Sequence, residues 1–310
     1  MMLLDDVDHQ LVELLGTSGR TTNRVLASKV GLTEATVAAR LRRLADGDVL
    51  TVRPQFDWVA AGFTVHALVF LRVKGIASTV AHALAQLRDV HSVSVLLGDH
   101  DVLLSVVSPS PATLHELVAE LLERADVVAL HVEQTVDFLR FEMRTSKLPV
   151  NGEVSVDDFP APAIALDDLD RDIIATLRLD GRASFRKIAQ KVGVSDGTVG
   201  GRVRKLADAG LMRIRAFHGL SDRHRIIALV LVSVARPVET ARTLVDLPQV
   251  TTCATTTGSS NLLVFISGPS ISEIHRWIEE HVSVRPGLRD LRSWLVVDTV
   301  FMKPDLVRFV

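Results

Sequence analysis

The chain contains the same pattern twice. Residues 4–53 and 166–215 align without a gap, and about 20 of those 50 positions are identical. LDDVD at Leu4–Asp8 returns as LDDLD at Leu166–Asp170. GRTTNRVLASKVGLTEATV at Gly19–Val37 returns as GRASFRKIAQKVGVSDGTV at Gly181–Val199, and RLRRLADGDVL from Arg40 returns as RVRKLADAGLM from Arg202. Several motifs in one order at one offset exceed chance. The two halves must therefore build the same structure, and whatever one half forms sets the architecture of the whole. The rest of each half differs more in letters but keeps its pattern. Between the halves, residues 145–165 carry Pro149, Gly152, Pro160 and Pro162 among several acids. That stretch reads as an exposed linker.

Each repeat opens with short helices. Asp5 or Asp6 suits a helix N-cap, and Val7, Leu11, Leu14 and Leu15 then fall on one stripe, as do Leu169, Ile173 and Leu177. Thr22 and Ser184 suit the cap of a second helix, closed by Gly31 and Gly193. Thr33 and Ser195 suit the cap of a third, with Val37, Leu41 and Leu44 (Val199, Val203 and Leu206) inward. VLTVRPQF and LMRIRAFH follow and alternate like strands. Three short helices and a β-ribbon describe a winged helix-turn-helix, whose third helix enters the major groove of double-stranded DNA.

Charge supports this locally. The whole chain carries a net charge of -2, so no global positive field exists. Residues 20–53 nevertheless hold seven basic and three acidic side chains, and residues 182–215 nine and two. Phosphate contacts are expected from Arg20, Arg40, Arg42, Arg43 and Arg53, and from Arg182, Arg202, Arg204, Lys205 and Arg215. Arg40 and Arg202 border the apolar stripe, where an ion pair to protein serves as well. Arg42, Arg43, Arg204 and Lys205 lie farther from it. Thr33, Thr36, Ser195 and Thr198 are the candidates at base edges. Such short side chains make no bidentate base contacts, so loose specificity read partly through DNA shape is expected. Gly197, Gly200 and Gly201 weaken the last of these helices.

The second part of each repeat reads βαββαβ. In the first half the segments are 64–74, 79–87, 92–97, 102–107, 111–124 and 127–138; in the second they are 226–235, 239–247, 250–257, 262–267, 271–282 and 291–299. The order is that of a ferredoxin-like α+β module.

Taken jointly, LDxxD, GRx(S/T), KVGLT or KVGVS, RxR(R/K)L and a βαββαβ module with a glycine hairpin followed by an acid (Asn261 replaces it in the second half) resemble the Lrp/AsnC, or feast/famine, regulators. The resemblance implies an α+β chain of two winged helix-turn-helix domains, each followed by a ferredoxin-like (RAM-type) domain. The expected segments are 1–62, 63–144, the linker 145–165, 166–220 and 221–310. It further implies a DNA-binding transcriptional regulator that pairs its sheet modules, here within one chain, with homo-oligomers of chains beyond that. A small effector, commonly an amino acid, is implied at the hairpin between the central strands. By matching position those hairpins are Gly98, Asp99, His100 and Asp101, and Gly258, Ser259, Ser260 and Asn261. Glycine lets backbone amides approach a carboxylate, and Asp101 suits an ammonium group, which Asn261 does not. A plain turn favours the same residues. Fusion makes the two reading helices unequal, so an imperfect palindrome is the expected site.

The same tandem plan also resembles the sirohaem decarboxylases, which implies a tetrapyrrole in the basic groove. The first helices lack the aromatic–proline stretch of that group. The 11 histidines show no HExxH or zinc spacing, and P-loop, GxSxG and GxGxxG patterns are absent. We therefore expect no enzyme activity, no catalytic residues, no cofactor and no metal. The single cysteine, Cys253, excludes an internal disulfide framework and reads as a small core residue. The N-terminus lacks the build of a signal peptide. The apolar stretch from Ile226 is about half the roughly 20 residues of a bilayer span. A cytoplasmic protein without membrane contact is expected.

Overall fold

The structure, a computed structural model, describes residues 4–47, 49–142, 152, 154–218 and 225–310. Asp48 and residues 145–151 and 153 of the expected linker lie outside the described residues. In the first half the elements are α1 (Asp6–Thr17), α2 (Asn23–Val30), α3 (Glu34–Asp46), β1 (Leu50–Asp57), β2 (Val65–Val73), α4 (Ala77–Leu84), β3 (Val90–Leu97), β4 (Val102–Ser108), α5 (Pro111–Glu123) and β5 (Val127–Phe141). In the second half they are α6 (Asp168–Leu179), α7 (Phe185–Val192), α8 (Asp196–Asp208), β6 (Met212–His218), β7 (Ile226–Val234), α9 (Pro237–Leu244), β8 (Val250–Thr257), β9 (Leu262–Gly268), α10 (Ile271–Ile278) and β10 (Leu288–Met302). No described helix is long and apolar enough to cross a membrane.

The five consecutive segments expected from sequence regroup into two compact units. The described residues within 1–61 and 155–221 form one, and those within 62–154 and 222–310 form the other. Each unit therefore holds the corresponding parts of both repeats.

In the helical unit both repeats start identically. Asp5 caps α1 by accepting from the Asp8 amide while Asp8 reaches back, and Asp167 and Asp170 do the same for α6. Leu11, Leu15, Leu26, Val37 and Leu44 are fully buried in the first repeat, as are Ile173, Leu177, Ile188, Val199 and Leu206 in the second. Each such burial stabilises the fold by about 1.5–3 kcal/mol. The ribbon differs from expectation. Among the described residues of this unit, β1 pairs with β6 of the other repeat, antiparallel, rather than forming a wing hairpin within its own repeat. Arg53 and Arg215 hold the same position in the two repeats and face each other across this ladder. The local two-fold axis therefore passes between them.

The described part of the expected linker is also not exposed. Val154 and Phe159 are buried, the Phe159 ring meets Phe56 edge-on at 5.4 Å, and the Ala163 amide donates to the Ala60 carbonyl at 2.7 Å. Its proline-rich composition marks irregular backbone but does not report burial.

In the second unit, among the described residues, eight strands close a barrel in the order β10-β3-β4-β2-β5-β8-β9-β7. Each βαββαβ module supplies four consecutive strands. The joints come from the two 15-residue strands. β5 pairs first with its own β2 and then with β8 of the other module; β10 pairs first with β7 and then with β3. Helices α4 and α5 cover one module with Leu84, Leu117 and Leu121, and α9 and α10 cover the other with Leu244, Ile274 and Trp277. Cys253 lies in this second core, where burial pushes its thiol up to about 12. Leu68, Phe70, Leu103, Leu229, Leu231, Leu263 and Trp294 form a third core inside the barrel. Pairing two half-buried sheets into a closed barrel leaves no free edge.

Candidate functional site

Two regions hold the residues singled out from sequence. The first is the pair of reading helices, α3 and α8. Thr33 and Ser195 cap them, accepting from the Thr36 amide at 3.2 Å and the Thr198 amide at 3.0 Å. In each pair the two hydroxyls also bond one another at 2.8 Å. All four side chains are exposed at the helix front. A helix N-terminus with exposed hydroxyls and amides suits phosphate or base-edge contact.

The ten cationic candidates divide. Arg42, Arg204 and Lys205 are exposed on the outer faces of α3 and α8. Arg40 donates to Asp5 at 2.7 Å and to the buried Asp8 at 2.8 Å, and Arg202 donates to Asp167 at 2.6 Å and Asp170 at 3.1 Å. These bonds lock each reading helix onto the first helix of its repeat. The Asp8 amide, joined by Arg40, holds the Asp5 carboxyl below its ordinary value. Arg43 also pairs with Asp8, a correction to its reading as a free phosphate contact. Its counterpart Lys205 makes no matching pair among the described residues.

Arg20 and Arg182 are corrected more fully. Arg20 donates to the Gly181 and Ala183 carbonyls at 2.9 and 3.0 Å and lies over the Phe185 ring. Arg182 donates to the Gly19 carbonyl at 2.8 Å and to Asn23 Oδ1 at 2.9 Å. Burial lowers both guanidinium pKa values. The Gly19 amide donates to Ile214 O at 2.8 Å and the Gly181 amide to Val52 O at 3.0 Å. A Cβ on Gly181 would stand 2.4 Å from that oxygen. The two GR motifs are thus the reciprocal clasp between repeats. Arg53 and Arg215, half-buried on the ribbon, belong to the same junction.

The second region is the hairpins. Asp101 Oδ2 accepts from the Val73 amide at 2.8 Å, and Asn261 Oδ1 accepts from the Val234 amide at 3.0 Å. Both residues clasp the turn to the end of the central strand. Each thereby commits one side-chain oxygen to its own backbone.

The hairpin tips are filled by residues the sequence reading missed. Glu133 of β5 is fully buried beneath the Gly258–Asn261 turn. Its carboxylate accepts from the Ser259 amide at 3.0 Å, the Ser260 amide at 3.4 Å, the Ser259 hydroxyl at 2.5 Å and His131 Nε2 at 2.6 Å. Arg292 lies 3.7 Å away and donates to the Ser259 hydroxyl. The turn amides expected to receive an effector carboxylate hold the protein's own. In the other module Trp294 of β10 stands where Glu133 does. Its Nε1 donates to Asp99 Oδ1 at 2.6 Å, and a Cβ on Gly98 would lie 2.4 Å from its Cδ1. Phe70 packs tilted against Trp294 at 4.8 Å and meets His100 edge-on at 5.6 Å. Desolvation opposes ionisation of Asp99, but the bonds from His100 and Trp294 outweigh it and hold the carboxyl below its ordinary value. Both glycines exist because the partner module's long strand approaches so closely. The one available signal was positional: Glu133 and Trp294 match when 127–138 is laid on 288–299.

The profile of the AsnC-type helix-turn-helix domain matches residues 4–45 and again 166–207, and that of the Lrp/AsnC ligand binding domain matches 227–306. The HTH-type transcriptional regulator FL11 of Pyrococcus horikoshii is 28% identical over 142 residues, which are 44% of this chain and 92% of that protein. Its counterpart in Pyrococcus furiosus is 27% identical over 154 residues, 48% of this chain and 97% of that one. Such relatives align over nearly their whole length and under half of this chain, as a duplicated sequence requires. Among solved structures, the siroheme decarboxylase NirDL covers 98% of this chain and 95% of its own at a TM-score of 0.67 and 18% identity. That is a likeness of fold.

Proposed function

The chain belongs to the Lrp/AsnC family of transcriptional regulators, and from that premise we propose that it binds double-stranded DNA with both reading helices of one chain and answers to a small effector, an amino acid in the first instance. The observation that carries this reading is the helical unit itself. Two helix-turn-helix repeats are clasped about a local two-fold by Arg20 and Arg182, and Arg42, Arg204 and Lys205 stay exposed on the reading helices. The clasp is the arrangement a two-half-site operator needs. The effector is assigned to the Gly98–Asp101 hairpin, where the Trp294 ring covers Gly98 but accepts from no turn amide, because Glu133 occupies the amides of the other. Self-association of whole chains belongs to the same proposal. Val136 and Val297, exposed at matching positions of β5 and β10, are its apolar candidates, and light scattering measures it.

The test is a gel shift on the protein's own upstream DNA across a salt series. Reversing the charges of Arg42, Arg204 and Lys205 together is expected to weaken binding and to flatten the plot of log affinity against log salt by about one unit per lost phosphate contact. Unchanged affinity and slope would refute the assignment. We propose no catalytic step for this chain. The tetrapyrrole alternative shares only fold with the reading here, and a Soret-absorbing complex formed with an added iron tetrapyrrole, in a chain that fails to shift DNA, would reverse the order.

A further inference from the structure

The barrel holds a partly open cavity of about 110 Å³ between the two modules. Its walls are largely apolar, with Phe138, Leu103, Leu263 and Phe265 among them, but one side carries a polar line. His66 Nδ1 lies 2.7 Å from Thr135 Oγ1, and its Nε2 lies 3.0 Å from Ser105 Oγ. Ser105 Oγ lies 3.5 Å from His91 Nδ1, and His91 Nε2 donates to the Leu306 carbonyl at 2.7 Å. Because a carbonyl only accepts, His91 Nδ1 is the acceptor end of this line.

Duplication shows that the fold does not need these groups. At the positions matching His66, His91 and Ser105, the second module has Ile227, Thr251 and Phe265. The cavity thus carries two imidazoles on the first module's side, whereas the second module lines it with Ile227, Phe265 and the hydroxyls of Thr251, Thr252 and Thr299. Burying polar groups costs stability unless each is bonded, and two buried imidazoles kept in one module alone call for a reason other than packing.

The chemistry of the walls narrows the occupant. Among the described residues that line the cavity there is no lysine or arginine, and the one carboxylate, Glu142, is paired to Arg140 at 2.7 Å. Among these residues a charged guest would meet no lysine or arginine to offset its desolvation. The volume is below the roughly 150 Å³ of a closed cavity that accepts benzene, and the cavity's opening leaves room for no more than a single ring. We propose that the barrel interior binds a small, uncharged, single-ring aromatic molecule with one hydrogen-bonding group, a phenol in the simplest case. The ring lies against the phenylalanines, and its hydroxyl joins the line at Ser105 and His91. This site is separate from the hairpins, and the proposal stands whether or not the effector assignment does.

Isothermal titration of the full-length chain with phenol, toluene and benzoate tests it. Phenol is expected to bind saturably, with toluene and benzoate each at least about tenfold weaker, a difference of about 1.4 kcal/mol. Ser105→Phe installs the second module's own side chain at the matched position. It is expected to lower phenol affinity at least about tenfold while the melting temperature holds. If that variant does not fold, His66→Ile carries the same readout. Absence of saturable phenol binding, toluene or benzoate binding as tightly as phenol, or a folded Ser105→Phe or His66→Ile chain that binds phenol like the parent would overturn the proposal.

Discussion

Glu133 and Trp294 sit at one position of the repeat and fill the hairpin of the opposite module by different means, a carboxylate on turn amides and a ring on a bare Cα. Glu133→Ala strands the Ser259 and Ser260 amides and removes the counter-charge of Arg292. Leaving buried donors unmet costs about 1–3 kcal/mol. We expect a loss of that size in chemical denaturation, with Glu133→Gln retaining part of it; a neutral Glu133→Ala would show that the turn amides find water instead. The two barrel histidines give a second residue-scale expectation. Unfolded, each takes a proton near 6.5. Folded, burial and the neighbouring His91 lower His66 to about 3, while burial, outweighing the bond to Leu306, lowers His91 to about 4. Between those values the unfolded chain binds more protons, so stability is full above pH 6.5 and falls as the pH drops toward 4. Each histidine contributes a slope of up to about 1.4 kcal/mol per pH unit there. Comparing the parent with His66→Ile by denaturation from pH 7 to 4.5 isolates one share; parallel curves would mean that His66 is hydrated and titrates normally.

At the scale of elements, α8 is the weak copy of α3. Where α3 has Ala35, Ala38 and Ala39, α8 has Gly197, Gly200 and Gly201. A Cβ on Gly201 meets nothing within 4 Å, whereas one on Gly200 lies 3.3 Å from the Phe185 ring that Arg20 covers. Gly201→Ala should therefore raise stability by about 1 kcal/mol, while Gly200→Ala gains less or nothing. Thermal melts of the two variants decide between a helix limited by backbone entropy and one limited by packing. The same contrast explains what was legible beforehand. Caps, stripes and the βαββαβ order depend on neighbours within a dozen residues, so Asp5, Thr33 and the periodic leucines announce themselves. The pairing of β1 with β6, and of β5 and β10 with the opposite module, joins residues some 120–200 positions apart. No local pattern encodes that. Arg20 and Arg182 illustrate the consequence: as letters they match a phosphate contact, and only the carbonyls they reach, about 160 residues away, make them a clasp. Asp8 and Asp170, last letters of the LDDVD and LDDLD motifs, are each fully buried under an arginine of the third helix, which the motif alone does not report.

For the molecule as a whole, fusion turns a dimer's symmetry into an approximation that sequence drift is free to break. The helical unit keeps the two-fold in its backbone, with Arg53 facing Arg215 and the two GR motifs answering each other. Its exposed helix fronts have diverged: Glu34, Ala35 and Thr36 in one repeat stand where Asp196, Gly197 and Thr198 do in the other, and the second repeat is the more basic. A symmetric backbone with unequal helices should occupy an operator whose half-sites are equally spaced and unequally protected. Hydroxyl-radical footprinting on the preferred site should then show one half-site losing protection at lower salt than the other. Replacing residues 196–208 with the sequence of 34–46, but keeping Gly200 so that the Phe185 ring under Arg20 is not pressed, leaves the N-caps and the clasp untouched and makes the two reading helices the same at every other position. That chimera should protect both half-sites to the same salt concentration and prefer a perfect palindrome by about 1–3 kcal/mol for each base pair restored. If the parent already protects both halves alike, or the chimera keeps the parent's asymmetry, then the inequality between half-sites does not originate in α3 and α8.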